Sequence, residues 1–186
     1  EALMRPTHES FTSPFEVLNM AAAEFKLYQL ERMVMFRIME YVYQNRREFG
    51  RRKVFINSLP SQQLSSHDFA YIQREYGVIF PNIVIEFIER ENAVTDMVQW
   101  KIDTLRDHGI SIAIDDFGAG WSNELQILSL DPDIIKIDMG IIRDIDTNVS
   151  KQQFVEHILS FSRARGIRVV AEGVETEGEL LLLRQL

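Results

Sequence analysis

The sequence has no cysteine, so disulfides and thiolate metal sites are excluded and a cytoplasmic setting is expected. It has no apolar run as long as a membrane span, so no membrane contact is expected within this segment. The opening residues Glu1-Ala2-Leu3-Met4-Arg5-Pro6 lack the basic and apolar regions of a signal peptide, and the chain does not start with Met. It therefore reads as a piece of something longer, compatible with the cytoplasmic part of a membrane-anchored protein. Basic charge is also short. Twenty-eight acids oppose 20 bases for a net charge of −8. Binding to DNA or RNA needs a basic face, and none is expected here. A small anionic ligand remains compatible where bound cations reverse the sign locally.

What is present suits one domain with a core, at 46% hydrophobic and 26% charged residues. The chain is organised around Ile112-Ala113-Ile114-Asp115-Asp116-Phe117-Gly118-Ala119-Gly120-Trp121-Ser122-Asn123. A β-branched apolar run of this kind is a strand buried on both faces, with side chains alternating between them. Asp115 and Asp116 mark where it leaves the core. Adjacent anions are costly to bury uncompensated, so a cation is expected beside them.

The remaining pattern alternates strand and helix. Ser13 as N-cap, Pro14 at the first helical position and Glu16 three after the cap start a helix, and from there to about Gly50 the chain is rich in helix formers. Leu27, Leu30, Val34, Ile38 and Val42 form an apolar stripe, and Arg46, Arg47, Arg51, Arg52 and Lys53 a solvated basic end. Strands are expected over 53–57, 83–89, 112–116, 134–138 and 168–172. Between them come helices over 66–76, from Val94 to a stop at Gly109, briefly from about Asn123, and from a Ser150/Gln153 capping box to Gly166. Thr176 with Glu179 caps a last helix. With Ala2-Leu3 as a strand stub, this gives repeated βα units and a parallel sheet, either a (β/α)8 barrel or an open doubly wound sheet. No glycine-rich phosphate fingerprint follows the first strand, which argues against a dinucleotide-binding domain. Barrels run to about 250 residues, so this one would be incomplete.

Asn57, Glu86, Asp115, Asp116, Lys136 and Glu172 close successive strands, and Glu1 joins them if it ends a strand missing from this chain. In either architecture such residues emerge at the carboxyl ends of the strands, where active sites lie. Oxygen ligands without His or Cys select hard cations, Mg²⁺ or Mn²⁺. This many anions suits two ions, about 3.5–4 Å apart and bridged by Asp115, the arrangement used in phosphodiester hydrolysis. Lys136 would then hold the attacking water or neutralise transition-state charge. Taken singly, each carboxylate is equally a solvated strand end; their recurrence favours a site. A Schiff-base aldolase using Lys136 is a weaker alternative, because surrounding carboxylates keep a lysine protonated. His8, His67, His108 and His157 match no ligand spacing and read as surface or helix residues.

These residues resemble the EAL-domain cyclic-di-GMP phosphodiesterases. The motifs are Glu1-Ala2-Leu3-Met4-Arg5, Asn57 in F-I-N-S-L-P, and Glu86 with Glu89 in I-E-F-I-E. They continue with D-D-F-G-A-G-W-S-N, Lys136 in I-I-K-I-D, and Glu172 with Glu175 in V-V-A-E-G-V-E-T. The resemblance spans nearly the whole chain, 1–186. It implies a modified TIM barrel, its first and last strands absent here, that linearises cyclic di-GMP to pGpG with two Mg²⁺ or Mn²⁺ ions and is inhibited by Ca²⁺. Glu1, Asn57, Glu86 and Asp115 would hold one ion; Asp115 and Asp116, helped by Glu172, the other. Lys136, with Glu172 and Glu89, would serve catalysis: Lys136 positions the water and Glu89 steadies the loop that links metal binding to dimerisation. Leu3, Arg5, Glu31, Asp116 and Glu175 would contact substrate, and a homodimer would form through 117–123. Two positions depart from the family pattern, Trp121 for Tyr and Glu31 for Asp. The alternative is a cyclic-di-GMP receptor that binds without hydrolysis.

Overall fold

The computed structural model describes residues 1–6, 13–88, 96–119 and 130–186. They belong to two compact units, Glu1–Glu86 with Asp96–Ile110, and Phe87–Thr95 with Ser111–Leu186.

In the first unit, α1 (Pro14–Ala23) opens as expected, with the Ser13 hydroxyl accepting from the Glu16 N–H and the Glu16 carboxylate accepting from the Ser13 N–H. The stretch rich in helix formers that runs to about Gly50 folds as three helices: α1, α2 (Leu27–Gln44) and α3 (Arg46–Phe49). The first break is a Schellman turn. Phe25 adopts φ 55°, its N–H bonds the Ala22 carbonyl at 3.1 Å, and the Lys26 N–H bonds the Ala21 carbonyl at 2.7 Å. That position normally carries glycine, so Phe25 gives no sequence signal for the break. Arg46, Arg47, Arg51 and Arg52 are exposed, as a solvated helix end should be.

Strand β1 (Val54–Asn57) follows, then α4 (Ser66–Tyr76), a 3₁₀ turn (Gly77–Asn82), β2 (Ile83–Ile88) and α5 (Asp96–Asp107). β1 and β2 run parallel with Asn57 opposite Glu86, and Ala2 forms a single parallel bridge to Ile56. Fully buried Ile56, Ile72, Ile83, Ile85 and Ile102 make the core of this unit. His108, expected at the surface or in a helix, instead follows α5 half-buried. Its ring meets Phe69 edge-on at 4.8 Å, and Nδ1 lies 2.7 Å from the Thr104 carbonyl.

A polar lock joins α2 to α4. Asp68 accepts from the Tyr28 hydroxyl at 2.7 Å and from Arg32 Nε at 2.9 Å. The Arg32 hydrogen bond, then that of Tyr28, holds the Asp68 carboxyl below the usual aspartate range. An acid whose pKa is depressed by folding stabilises above its unfolded pKa, and that contribution disappears as pH falls through the folded value. In urea unfolding at a series of pH values, Asp68→Asn should therefore be less stable than the parent by a constant margin from about pH 5 to 8. The margin should close in stronger acid; one that persisted there would show that the carboxylate charge is not what locks the helices.

The second unit contains three parallel strands, β3 (Ser111–Phe117), β4 (Ile134–Ile137) and β5 (Arg168–Ala171), with β4 between the other two. Helices α6 (Met139–Ile142), α7 (Val149–Arg165) and α8 (Glu177–Leu183) accompany them. β4 is buried along its length. The cap of α7 is Asn148 rather than Ser150: the Asn148 side chain accepts from the Lys151 N–H at 3.2 Å, placing Ser150 inside the first turn. Asparagine caps as well as serine, so residue type alone does not favour Ser150 over Asn148. The Thr176/Glu179 box forms as expected. The helix expected from Asn123, and Trp121, lie outside the described residues. Strands alternate with helices and each strand pairing above is parallel, which makes the fold α/β.

Candidate active site

The chemistry of the second unit begins with a register error. Ile114 pairs with Ile135 and Phe117 with Ile137, so Asp115 and Asp116 together stand opposite Lys136 alone. This is a β-bulge. In a regular strand these neighbours would point to opposite faces. Here Asp116 turns to φ 54°, a left-handed conformation that aspartate tolerates better than most residues. Asp115, Asp116 and Glu172 consequently bring one carboxylate oxygen each within 4.8 Å of one another. Glu172 lies just past β5, its N–H continuing the ladder to the Ile137 carbonyl at 3.1 Å. Gly173 then turns with φ 63°, and a Cβ there would stand 2.5 Å from Met139 Cβ, so no larger residue fits this close approach.

Lys136 is the cation that the paired carboxylates required. It is 5% exposed, and its Nζ lies 2.8 Å from Asp115 Oδ1 and 2.7 Å from Glu172 Oε1. Burial pushes the Glu172 pKa up, as do the charges of Asp115 and Asp116, while the Lys136 hydrogen bond pulls against them. Three crowded oxygens and one ammonium balance poorly. The donor set is all oxygen and fits a hard divalent cation.

In the first unit Asn57 Nδ2 donates to Glu1 Oε1 at 3.0 Å, and a carboxylate oxygen of Glu1 lies within 4.8 Å of one of Glu86. Glu86 is fully buried. Asn57 is carried beside Glu86 by the β1–β2 register, which makes Glu1, Asn57 and Glu86 a second oxygen cluster. Leu3 and Arg5 are exposed on the same opening segment as Glu1.

The other expected substrate contacts are placed differently. Glu31 does not reach outward. It is 4% exposed, accepting from the Ser58 hydroxyl and, at 3.2 Å, from the Leu59 N–H, and it pairs with Lys101 Nζ at 3.1 Å. A buried ammonium within reach holds it inside the unit. Lys101 is not among the expected site residues, although it falls on the apolar stripe of Val98, Ile102 and Leu105, where a lysine is out of place. Glu175 is half-exposed and pairs with Arg143 at 2.7 Å. Glu89 lies outside the described residues, as does 120–123 of the expected dimer loop.

Carboxylates delivered by parallel strands and gathered about a lysine describe an α/β protein with acidic groups able to hold a hard cation. The chain belongs to the EAL domain family, whose family model matches residues 1–186. The probable cyclic di-GMP phosphodiesterase PdeA of Escherichia coli (strain K12) is 39% identical over 116 residues, 61% of this chain and 16% of that protein. Klebsiella pneumoniae BlrP1 in its calcium and cyclic di-GMP complex matches with TM-score 0.80 and 30% identity, over 92% of this chain and 44% of that one. Its manganese and cyclic di-GMP complex matches with TM-score 0.78 and 29% identity, over the same 92% and 44%. The fold is thus the TIM-barrel-like fold of EAL structures, and the chain spans less than half the length of these relatives. Among the described residues no helix is long and apolar enough to cross a membrane.

Proposed function

We propose that the chain is a metal-dependent phosphodiesterase that hydrolyses cyclic di-GMP to linear pGpG. The observation that carries this reading is the bulge that gathers Asp115 and Asp116 with Glu172 around Lys136 in a chain of the EAL family. Asp115, Asp116 and Glu172 would hold one Mg²⁺ or Mn²⁺ ion, and Glu1, Asn57 and Glu86 the ligands of a second. When bound, such ions supply Lewis acidity toward phosphate oxygens and an acidified water. Lys136 keeps an ammonium beside the reacting phosphate, where it orients the water and offsets charge that develops there. Arg5 meets a substrate phosphate from the exposed opening segment, with Leu3 beside it and Glu175 at the turn after β5. Glu89 and the loop 117–123 would couple the site to a homodimer, testable by sedimentation with and without Mn²⁺.

The test is purified chain with cyclic di-GMP and Mg²⁺ or Mn²⁺, followed for pGpG. Product is expected with either ion. In Ca²⁺, which is larger and accepts irregular coordination, nucleotide should bind without turnover. Full turnover in Ca²⁺ would contradict the mechanism. Binding without product in all three ions would make the domain a receptor, and no binding would remove both nucleotide readings.

A further inference from the structure

Lys101 and Glu31 form an ion pair inside the first unit, with side chains 7% and 4% exposed. Two charges so deeply buried gain little stability over a well-packed apolar pair. What this pair adds is a set of hydrogen bonds, five of which reach one segment. Lys101 Nζ donates to Ser58 Oγ at 2.7 Å, to the Leu59 carbonyl at 2.9 Å and to the Gln62 carbonyl at 2.5 Å. Glu31 accepts from the Ser58 hydroxyl and the Leu59 N–H. Residues 58–62 are the chain immediately after Asn57, the last residue of β1. On its other side Asn57 is fixed by the β1–β2 register, and its carboxamide by Glu1.

We infer that the Lys101–Glu31 pair is a positioning device for Asn57: it clamps the backbone leaving β1 so that the carboxamide stays directed toward the Glu1 and Glu86 carboxylates. The inference rests on the phosphodiesterase reading only in taking Asn57 as a metal ligand. The pair acts through the segment it holds, as outer groups do when they fix the orientation of a metal's ligands. Helix α5 supplies the ammonium and α2 the carboxylate, so two helices determine the geometry of one strand end.

The experiment is Mn²⁺ binding to the full chain without nucleotide, by electron paramagnetic resonance or calorimetry, alongside turnover at rising Mn²⁺. Lys101→Met/Glu31→Leu removes both charges together and avoids stranding one of them. It should fold, bind the weaker of its Mn²⁺ ions about 10- to 100-fold less tightly, and recover turnover when Mn²⁺ is raised. Ser58→Ala, which removes only the hydroxyl where the two charges meet, should weaken Mn²⁺ in the same direction. Met39→Ala, a core truncation in the same unit, should lower thermal stability and leave Mn²⁺ affinity unchanged, which separates positioning from general loosening. Parental Mn²⁺ affinity in a folded double variant, or in Ser58→Ala if the double variant does not fold, overturns the inference alone. A parent chain that takes up no Mn²⁺ overturns the metal-dependent reading, and this inference with it.

Discussion

Asp115→Asn should leave a folded chain with turnover reduced by about 10³-fold or more. Asparagine keeps the shape of the side chain and its place in the bulge, so the β3–β4 ladder on either side of it, Ile114 with Ile135 and Phe117 with Ile137, should survive. What is lost is one negative charge from a cluster of three carboxylates. Asp115 is 8% exposed and lies within reach of Asp116, Glu172 and Lys136 at once. Removing one neutral donor from a preorganised site already costs about 10²–10³ in rate, and a charged ligand shared with a cation should cost no less. Loss of the charge also relieves the repulsion that raises Glu172, so the Glu172 pKa should fall in the variant. The measurements are the rate of pGpG release, the melting temperature and the titration of Glu172 by NMR. Turnover within about tenfold of the parent would remove Asp115 from the ligands.

The sequence made the strand–helix alternation legible because its signals are local. A β-branched run, a Ser13 or Thr176 capping box and a stop at Gly109 or Gly166 each act within one turn of backbone. The strand-end polar residues were legible for the same reason. Their grouping was legible only in part. A period of two assigns Asp115 and Asp116 to opposite faces, and nothing short of the register with β4 reveals the bulge that brings them together. Phe25 ends α1 without the glycine that ordinarily marks such a turn. The surroundings of Glu31 were not legible either: the resemblance gives it a substrate contact, and it is buried against Lys101, a residue 70 positions away. The corresponding signal was present in α5, as a charged residue on an apolar stripe, and it needed a partner from elsewhere in the chain to be understood.

Lys136→Met should separate what this lysine does for the fold from what it does for the reaction. Its ammonium bridges Asp115 and Glu172, and removing it takes away the cation between those carboxylates. Breaking a buried pair in this way costs about 3–5 kcal/mol. The Glu172 side chain is 26% exposed, so screening places the effect toward the lower end. Burial, with the charges of Asp115 and Asp116, raises the Glu172 pKa, and without the lysine that lowers it the pKa should rise further. An acid whose pKa is raised by folding destabilises as pH rises through that value, so the deficit should be largest at pH 8 and narrow toward pH 5. Mn²⁺ would bind the same oxygens without a competing ammonium and should raise the melting temperature of the variant more than that of the parent. On the proposal that Lys136 positions the attacking water, turnover should nevertheless stay at least about 10²–10³-fold down at saturating Mn²⁺, because a divalent ion replaces the charge of Lys136 and not its hydrogen-bond donors. A variant restored in both stability and turnover by Mn²⁺ would reduce Lys136 to a counterion; one that regains the fold alone would identify it as the group that positions the water.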